Sequence, residues 1–301
     1  MDLKGDQGAR IIFHYTSAAG LLGIVKNRRI WATESNFLND PSEISFAASN
    51  VVKQVADAVK RLDIVSERRR EMRRSLKWIE EAYVDPHSDI QFHEERSFIT
   101  SFSYSDDSLT LWRNYAGKGG FCIGFNEDKI VSLFNREFPP AIEHAGDKEL
   151  SDGIETNFGL NPTISRVNYG LNPTRQLASK IVSTITKDSF NLEEGRHELG
   201  SILRSLATVK HPAYEDEREV RLIVRRTGDF SPNPLVRASP TAGLVSYHEV
   251  AFPHEALVSI TTAPGVEQAR SESAVRSLLH DGARGAWSHV NIRSANIPFS
   301  W

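Results

Sequence analysis

The alternation of hydrophobic and polar positions is clearest at the start of the chain. The sequence RIIFHYTS, residues 10–17, runs from a short apolar stretch into His14, Tyr15 and Thr16. An apolar run of this length predicts a buried strand. This strand ends in a cluster of groups that can donate or accept hydrogen bonds, so its end is a candidate for contact with a polar ligand.

The pattern then changes to helical spacing and back. Residues 18–27 carry apolar side chains at intervals of three and four behind Ser17, a suitable helix N-cap. The sequence RIWAT, residues 29–33, predicts a second short strand. A long helical pattern follows from about residue 41 to residue 82, and it fits two helices.

The rest of the chain gives further strands and helices. Residues 96–105 alternate apolar and hydroxyl side chains, and residues 217–226 alternate charged and apolar ones, as strands with one wet face do. The other predicted elements are a short helix at 106–116, a strand at 121–126, and a final strand, helix and strand between residues 257 and 300. These elements predict a single α+β domain spanning 1–301, with helical insertions at about 41–90 and 126–212.

Composition narrows the class of protein. The 301 residues are 40% hydrophobic and 25% charged with a net charge of −3, which is typical of a globular protein and gives no overall attraction to nucleic acid. No segment reaches the length of a membrane span, so we expect a cytoplasmic protein with no membrane partner. The single cysteine, Cys122, lies among apolar residues and is expected to be buried.

Several common catalytic motifs are missing from the sequence. It contains no glycine-rich phosphate loop and no GxSxG elbow. The HEER sequence at His93 lacks the second histidine of a zinc HExxH motif, because position 97 is Ser97. No metal site is therefore assigned.

The remaining candidate residues are spread over three predicted elements. Ser101 and Ser103 lie on one strand, Trp112, Arg113 and Tyr115 on the short helix, and Glu217 and Glu219 on the later strand, where Arg221 shares their face. Carboxylates this close raise one another's pKa unless arginines or a ligand compensate for their charge. The other interpretation is an acidic turn before a strand, with Glu219 and Arg221 paired at the surface.

Four stretches carry a resemblance to a known family. They are FHYTSAAGLLGIVKNRRIWATESNFLNDPSE, SFSYSDDSLTLWRNYAGKGGFCIGFN, HPAYEDEREVRLI and the tail LVSITTAPGV…VNIRSANIPFS. In this order they resemble the bacterial DUF2971 proteins, a family named for lacking an assigned function. The resemblance spans nearly the whole chain.

A looser resemblance links the His-Tyr-Thr strand, the helix after it and the second short strand to ADP-ribosyltransferases. It implies a split, bent β-sheet that grips NAD as a substrate. It also implies that His14 and Thr16 contact NAD from the first strand and that Ser101 to Ser103 line the nicotinamide pocket. Glu219, or Glu217, is implied as the catalytic carboxylate beside the nicotinamide ribose.

The chemistry of NAD cleavage fits these residue types. Breaking the nicotinamide bond builds positive charge on the ribose, which a carboxylate can stabilise. Four aromatic residues are candidates to stack on nicotinamide: Tyr15, Tyr104, Trp112 and Tyr115. Arg113, or else Arg221, is expected to hold the pyrophosphate.

Three hypotheses for function follow. The first is an NAD-dependent ADP-ribosyltransferase-like enzyme, a transferase or an NAD glycohydrolase, that serves as a toxin or antiphage defence effector. It would modify a protein or nucleic acid acceptor, and an antitoxin or regulatory partner would restrain it. The second is a non-catalytic module that senses a nucleotide. The third is a metal-dependent nuclease that uses Asp40, Glu43 and the Glu215–Glu219 cluster with a divalent ion.

Overall fold

The computed structural model describes most of the chain and brings its elements into one mixed α+β architecture. The described residues are 10–38, 42–63, 66–84, 97–132, 160–226, 233–239, 242–265, 267–281 and 285–299. The helices are α1 (Ala18–Asn27), α2 (Ser42–Lys60), α3 (Ser66–Tyr83), α4 (Leu109–Leu111), α5 (Glu127–Ile130), α6 (Leu171–Ile185), α7 (Leu192–Leu203) and α8 (Gln268–Asp281). The strands are β1 (Ile11–Thr16), β2 (Arg29–Glu34), β3 (Phe98–Ser103), β4 (Phe121–Asn126), β5 (Leu160–Arg166), β6 (Asn168–Tyr169), β7 (Val209–Lys210), β8 (Glu219–Arg226), β9 (Leu235–Ser239), β10 (Gly243–Ala251), β11 (Leu257–Thr262) and β12 (Asn291–Ser294).

Most strands of the described chain join one sheet. Its central path runs β12-β11-β4-β1-β3-β2-β10-β9, and β8 joins β3 to β5 off this path. The pairings are antiparallel except for β11 with β12, so the sheet is mixed. The short strands β6 and β7 pair in parallel apart from it.

The strand β3 is shared by two diverging parts of the sheet. One edge of β3 pairs along its whole length with β8. On the other edge β1 pairs only at Ser103, through Phe13, while β2 pairs only at Phe98 and Ile99. At 100–102 neither β1 nor β2 therefore pairs with the backbone of β3, and we call this interruption of the pairing the gap beside Ser101.

The two faces of the sheet have different coverings. One face packs its apolar residues, such as Phe102 and Leu222, against α1 and α8. The opposite face carries Ser101, Ser103, Glu219 and Arg221, and we call it the Ser101 face. Over β1 and β4 it is covered by a π-helix at 112–116, and the helices α2, α3, α6 and α7 form a separate core.

Most predicted elements agree with the structure, and one region contains a strand that was not predicted. Ser17 caps α1 as expected, its hydroxyl accepting from the Gly20 amide, and Cys122 is buried. The region 126–212 was predicted to be helical and loop-like, but it contains β5, which pairs with β8 along its full length. The same region also contains the helices α6 and α7, and β5 is an addition that the sequence did not predict, because LNPTISR contains Pro162 and shows no clear alternation.

No helix in the described ranges combines the length and the apolar character that crossing a membrane requires.

Candidate functional site

Two cations and two carboxylates interlock on the Ser101 face. Lys210 on β7 donates to Glu217 Oε2 at 2.8 Å and to Glu219 Oε2 at 2.9 Å. Arg221 on β8 donates from Nε to Glu219 Oε1 at 2.7 Å and from Nη2 to Oε2 at 3.1 Å. All four side chains are buried, so their charges compensate one another away from water.

A strained backbone residue directs both glutamates to the same lysine. A 3₁₀-helix at 212–217 ends at Arg218, whose φ of 46° and ψ of 47° lie in the left-handed region. A side-chain-bearing residue pays a steric cost there. The turn at Arg218 lets Glu217, from the 3₁₀-helix, and Glu219, from β8, both reach Lys210.

The hydrogen-bonding capacity of Glu219 is filled. Ser101 Oγ donates to Oε1 at 2.7 Å, in addition to the bonds from Lys210 and Arg221. Burial alone would raise the pKa of Glu219, but Arg221, Lys210 and Ser101 outweigh that effect and lower it. Glu219 is therefore ionised at neutral pH, and among its described donors Ser101 is the exposed one.

Glu217 is held by the neighbouring elements. Tyr115 on the π-helix donates its hydroxyl to Glu217 Oε1 at 2.8 Å, and Ser103 donates to the Glu217 backbone carbonyl at 2.7 Å. Burial and the nearby charge of Glu217 raise the pKa of the Tyr115 phenol. Tyr169 accepts from the Glu219 amide at 2.8 Å, and burial raises its pKa to about 12. These contacts fix the network rather than leave it open to solvent.

His14 meets the same strand from the other side. Its Nδ1 lies 2.9 Å from the Ser101 carbonyl oxygen, which can only accept, so Nδ1 carries the hydrogen. Burial lowers the pKa of His14, so the ring is neutral at pH 7 and Nε2 keeps a lone pair. The pairing of Phe13 with Ser103 places His14 on the face of Phe102, and the two rings lie 5.7 Å apart. His14 and Glu219 thus leave opposite faces of the sheet, and both contact Ser101.

Two of the aromatic candidates lie in the core. Trp112 is completely buried and donates to Asp107 Oδ1 at 2.8 Å. Tyr15 packs edge to face against it at 5.0 Å, and the Tyr15 hydroxyl donates to the Ser105 carbonyl and accepts from the Ser108 amide. Burial raises the pKa of Tyr15. Neither ring presents a face that nicotinamide can reach in this structure.

The other candidates have local partners. Arg113 is exposed and its guanidinium stacks on the ring of Phe299, with 4.6 Å between the Arg113 Cζ atom and the ring centroid. Thr16, at the end of β1, is half-buried and packs against Gly20. Its hydroxyl lies so close to Gly20 that a side chain at position 20 would clash with it. Tyr104 stacks with Arg166 at 4.7 Å. The structure therefore brings together Ser101, Ser103, Tyr115, Glu217 and Glu219, with His14 at their edge.

Sequence reasoning missed Lys210, which joins the two carboxylates. Its strand β7 has two residues and shows no periodic pattern. The buried Glu219–Arg221 pair also differs from the surface pair of the alternative interpretation. A lysine close to a run of glutamates, in VKHPAYEDE, was the signal available.

The residues of the nuclease hypothesis gain no support in the described ranges. Asp40 lies outside them, as does the side chain of Glu43. Among the described residues, no group of three or more histidine, cysteine, aspartate or glutamate side chains could hold a metal ion.

Comparison with known proteins found one family model that matches part of the chain. Residues 111–222 match the family model described as "Protein of unknown function (DUF2971)". This match supports the resemblance to the DUF2971 family over that stretch. Searches of the curated proteins and of the solved structures found no significant match. The DUF2971 stretch contains Tyr115, Lys210, Glu217, Glu219 and Arg221, whereas His14 and Ser101 come from the preceding part of the chain.

Proposed function

We propose that the chain binds a ribose-bearing nucleotide, NAD in the first instance, at the gap beside Ser101 and cleaves its nicotinamide bond. The observation that carries the proposal is the pair of bonds made by Ser101. Its exposed hydroxyl donates to the ionised Glu219, and its carbonyl accepts from His14. A ribose hydroxyl that replaces the Ser101 hydroxyl on Oε1 would reach a carboxylate that is already ionised and oriented.

The proposed reaction needs few protein groups. The bond between ribose C1′ and the nicotinamide nitrogen breaks, and its electron pair leaves with nicotinamide, which becomes neutral. The positive charge that develops on the ribose is stabilised by Glu219. Water or an acceptor nucleophile then bonds to C1′ and gives up its proton to solvent. The His14 ring lies on the opposite face of the sheet from Glu219, and its part is to hold the Ser101 carbonyl. The divergence of β1 and β2 along β3 supports an ADP-ribosyltransferase-like split sheet as part of this proposal.

A second candidate function rests on one specific observation. Lys210 and Arg221 together neutralise Glu219, and a compensated carboxylate stabilises a developing cation less than an uncompensated one does. A module that binds the nucleotide without cleaving it would tolerate this arrangement. The two functions share the binding site and differ in turnover.

The test incubates purified protein with NAD, measures binding by calorimetry and detects free nicotinamide by mass spectrometry. We expect release by the wild type and loss of release in Glu219→Gln. Because the ligand replaces the Ser101 hydroxyl on Glu219, we expect NAD to bind several-fold more tightly to Ser101→Ala. The matched control is Ser277→Ala on α8, another exposed serine, whose hydroxyl bonds to a carbonyl of its own helix at 3.2 Å. Thermal denaturation verifies that each variant folds.

The outcomes distinguish the two candidate functions. Saturable binding without release identifies the sensing module. If the protein neither binds NAD nor releases nicotinamide, the proposal is overturned. If release occurs, mass spectrometry of treated lysate proteins and nucleic acids identifies the acceptor or shows that water serves.

A further inference from the structure

Three side chains from neighbouring strands form a cluster around Arg237. The Arg237 guanidinium carbon on β9 lies 5.1 Å from the ring centroid of Trp31 on β2 and 5.9 Å from that of Tyr247 on β10. The two aromatic rings are themselves 5.0 Å apart. We call these three residues the Arg237 cluster. Stacking of this kind orders a guanidinium group and leaves its edge available to bind an anion.

The charge of Arg237 has no counterpart among the described residues. Glu249, the acidic residue on the same face, bonds instead to Arg29 Nη1 at 2.9 Å and to Trp31 Nε1 at 3.3 Å. Arg237 makes two long bonds to neutral oxygens, with Thr33 Oγ1 at 3.2 Å and the Ala238 carbonyl at 3.5 Å. Its Nε is buried and meets no acceptor among the residues that the structure describes. A half-buried guanidinium with unfilled donors favours an anionic ligand.

The sheet register places this cluster on the Ser101 face. Tyr247 pairs with Thr33, and Thr33 pairs with Ile99, so the side chains of Tyr247, Thr33 and Ile99 project from one face of the sheet. Ser101 follows Ile99 by two residues and shares that face. The Trp31 carbonyl accepts from Thr100 Oγ1 at 2.9 Å, which brings β2 against β3 immediately beside Ser101. The cluster and Ser101 therefore lie on opposite sides of the same gap.

Trp31 adds a stacking surface to the unpaired charge. It is 45% exposed, although it contacts both Arg237 and Tyr247. An exposed indole beside a guanidinium suits a ligand that carries a planar ring and an anionic group together, because the ring stacks while phosphate oxygens accept the guanidinium hydrogens. A nucleotide has both features.

We propose that the Arg237 cluster is the subsite for the diphosphate and base of the bound nucleotide, with Arg237 on the phosphates and Trp31 stacked on the base. This inference deepens the proposed function and rests on it, since the ribose and its scissile bond would then lie toward Ser101 and Glu219. The ligand would extend across the gap beside Ser101.

The test titrates ADP and NAD separately into the full-length protein. Binding is followed by calorimetry and by tryptophan fluorescence, and Trp31→Phe identifies the part of the signal due to Trp31. We expect quenching that disappears in Trp31→Phe, and ADP affinity at least tenfold lower in Arg237→Gln. Arg237→Lys keeps the charge without the planar fork and should lose less. Arg276→Gln, on the exposed face of α8, is the matched control.

The outcomes separate this inference from the proposed function. If NAD binding depends on Ser101 but is unchanged in Trp31→Phe, Arg237→Gln and Arg237→Lys, the subsite is overturned and the function stands. If ADP binds through Arg237 while NAD releases no nicotinamide and Ser101→Ala has no effect, the proposed function fails and the subsite stands. If neither nucleotide binds to folded protein, both are overturned.

Discussion

Replacing Lys210 with methionine tests whether the buried network behaves as one electrostatic unit. Methionine fills a similar volume but removes the cation that Glu217 and Glu219 share. Glu219 keeps its bonds to Arg221, whereas the remaining described donor to the Glu217 carboxylate is the neutral Tyr115 hydroxyl. Removing one partner of a buried ion pair costs about 3–5 kcal/mol, because the other charge is left without compensation. We expect Lys210→Met to lower the free energy of unfolding by about this amount.

A second substitution should add little to that loss. Glu217→Gln alone leaves Lys210 and Arg221 facing one carboxylate, and we expect a cost of about 1–3 kcal/mol. The double variant Lys210→Met/Glu217→Gln removes one charge of each sign and keeps the Arg221–Glu219 pair. Its cost should therefore fall below the sum of the single costs by about 1–3 kcal/mol, as for groups in direct contact.

Urea denaturation followed by circular dichroism at pH 7 measures all three variants. Single costs that add to within about 0.5 kcal/mol would show that the two residues act independently and would refute the shared-charge reasoning.

Three further predictions follow from individual residues. Because burial lowers the pKa of His14, the unfolded chain takes up its proton first as the pH falls below about 6.5. The stability contributed by the neutral His14 is therefore complete above that pH and is lost below it. Between pH 7 and 5, the free energy of unfolding measured with urea should fall less in His14→Gln than in the wild type. Equal falls in the two proteins would contradict this. Tyr115→Phe removes the hydroxyl bonded to Glu217 and should cost about 1.5–3 kcal/mol in the same assay, while a loss below about 0.5 kcal/mol would show that the bond is dispensable. Arg28 ends α1 at a φ of 51°, in the left-handed region. Arg28→Gly should therefore raise the free energy of unfolding by about 0.5 kcal/mol, and Arg28→Val should lower it by about 1 kcal/mol or more. If thermal unfolding shows that both variants shift stability in the same direction, backbone strain at Arg28 is not the cause.

Local patterns were sufficient for elements whose burial is visible in the sequence. Strands β1, β3 and β8 each alternate or run apolar over six to eight residues, and α1 has its cap directly before it. Strand β5 has no such pattern, because its partner β8 supplies the apolar residues that make the pairing stable. Strands β9 and β10 were not predicted either, and they carry Arg237 and Tyr247.

The candidate site was predictable only as far as single strands allow. Alternation placed Glu217, Glu219 and Arg221 together, and a hydroxyl strand suggested Ser101. Lys210 could not be found in this way, because its position depends on the parallel pairing of β6 with β7 and on the left-handed turn at Arg218. Both are tertiary features without a periodic signal.

The partners of Glu219 differ in burial, and this difference limits the chemistry that the network can perform. Lys210 and Arg221 bond to Glu219 from the interior, and Ser101 bonds to it from the exposed side. A ligand can therefore gain access to this carboxylate by replacing one neutral hydroxyl, without breaking either buried ion pair. Replacing a serine hydroxyl with a ribose hydroxyl exchanges one hydrogen bond for another of the same kind, so affinity must come from elsewhere in the ligand. An uncompensated guanidinium and an exposed indole across the same gap would supply that affinity, which is why the Arg237 cluster and Ser101 are most simply explained as parts of one site.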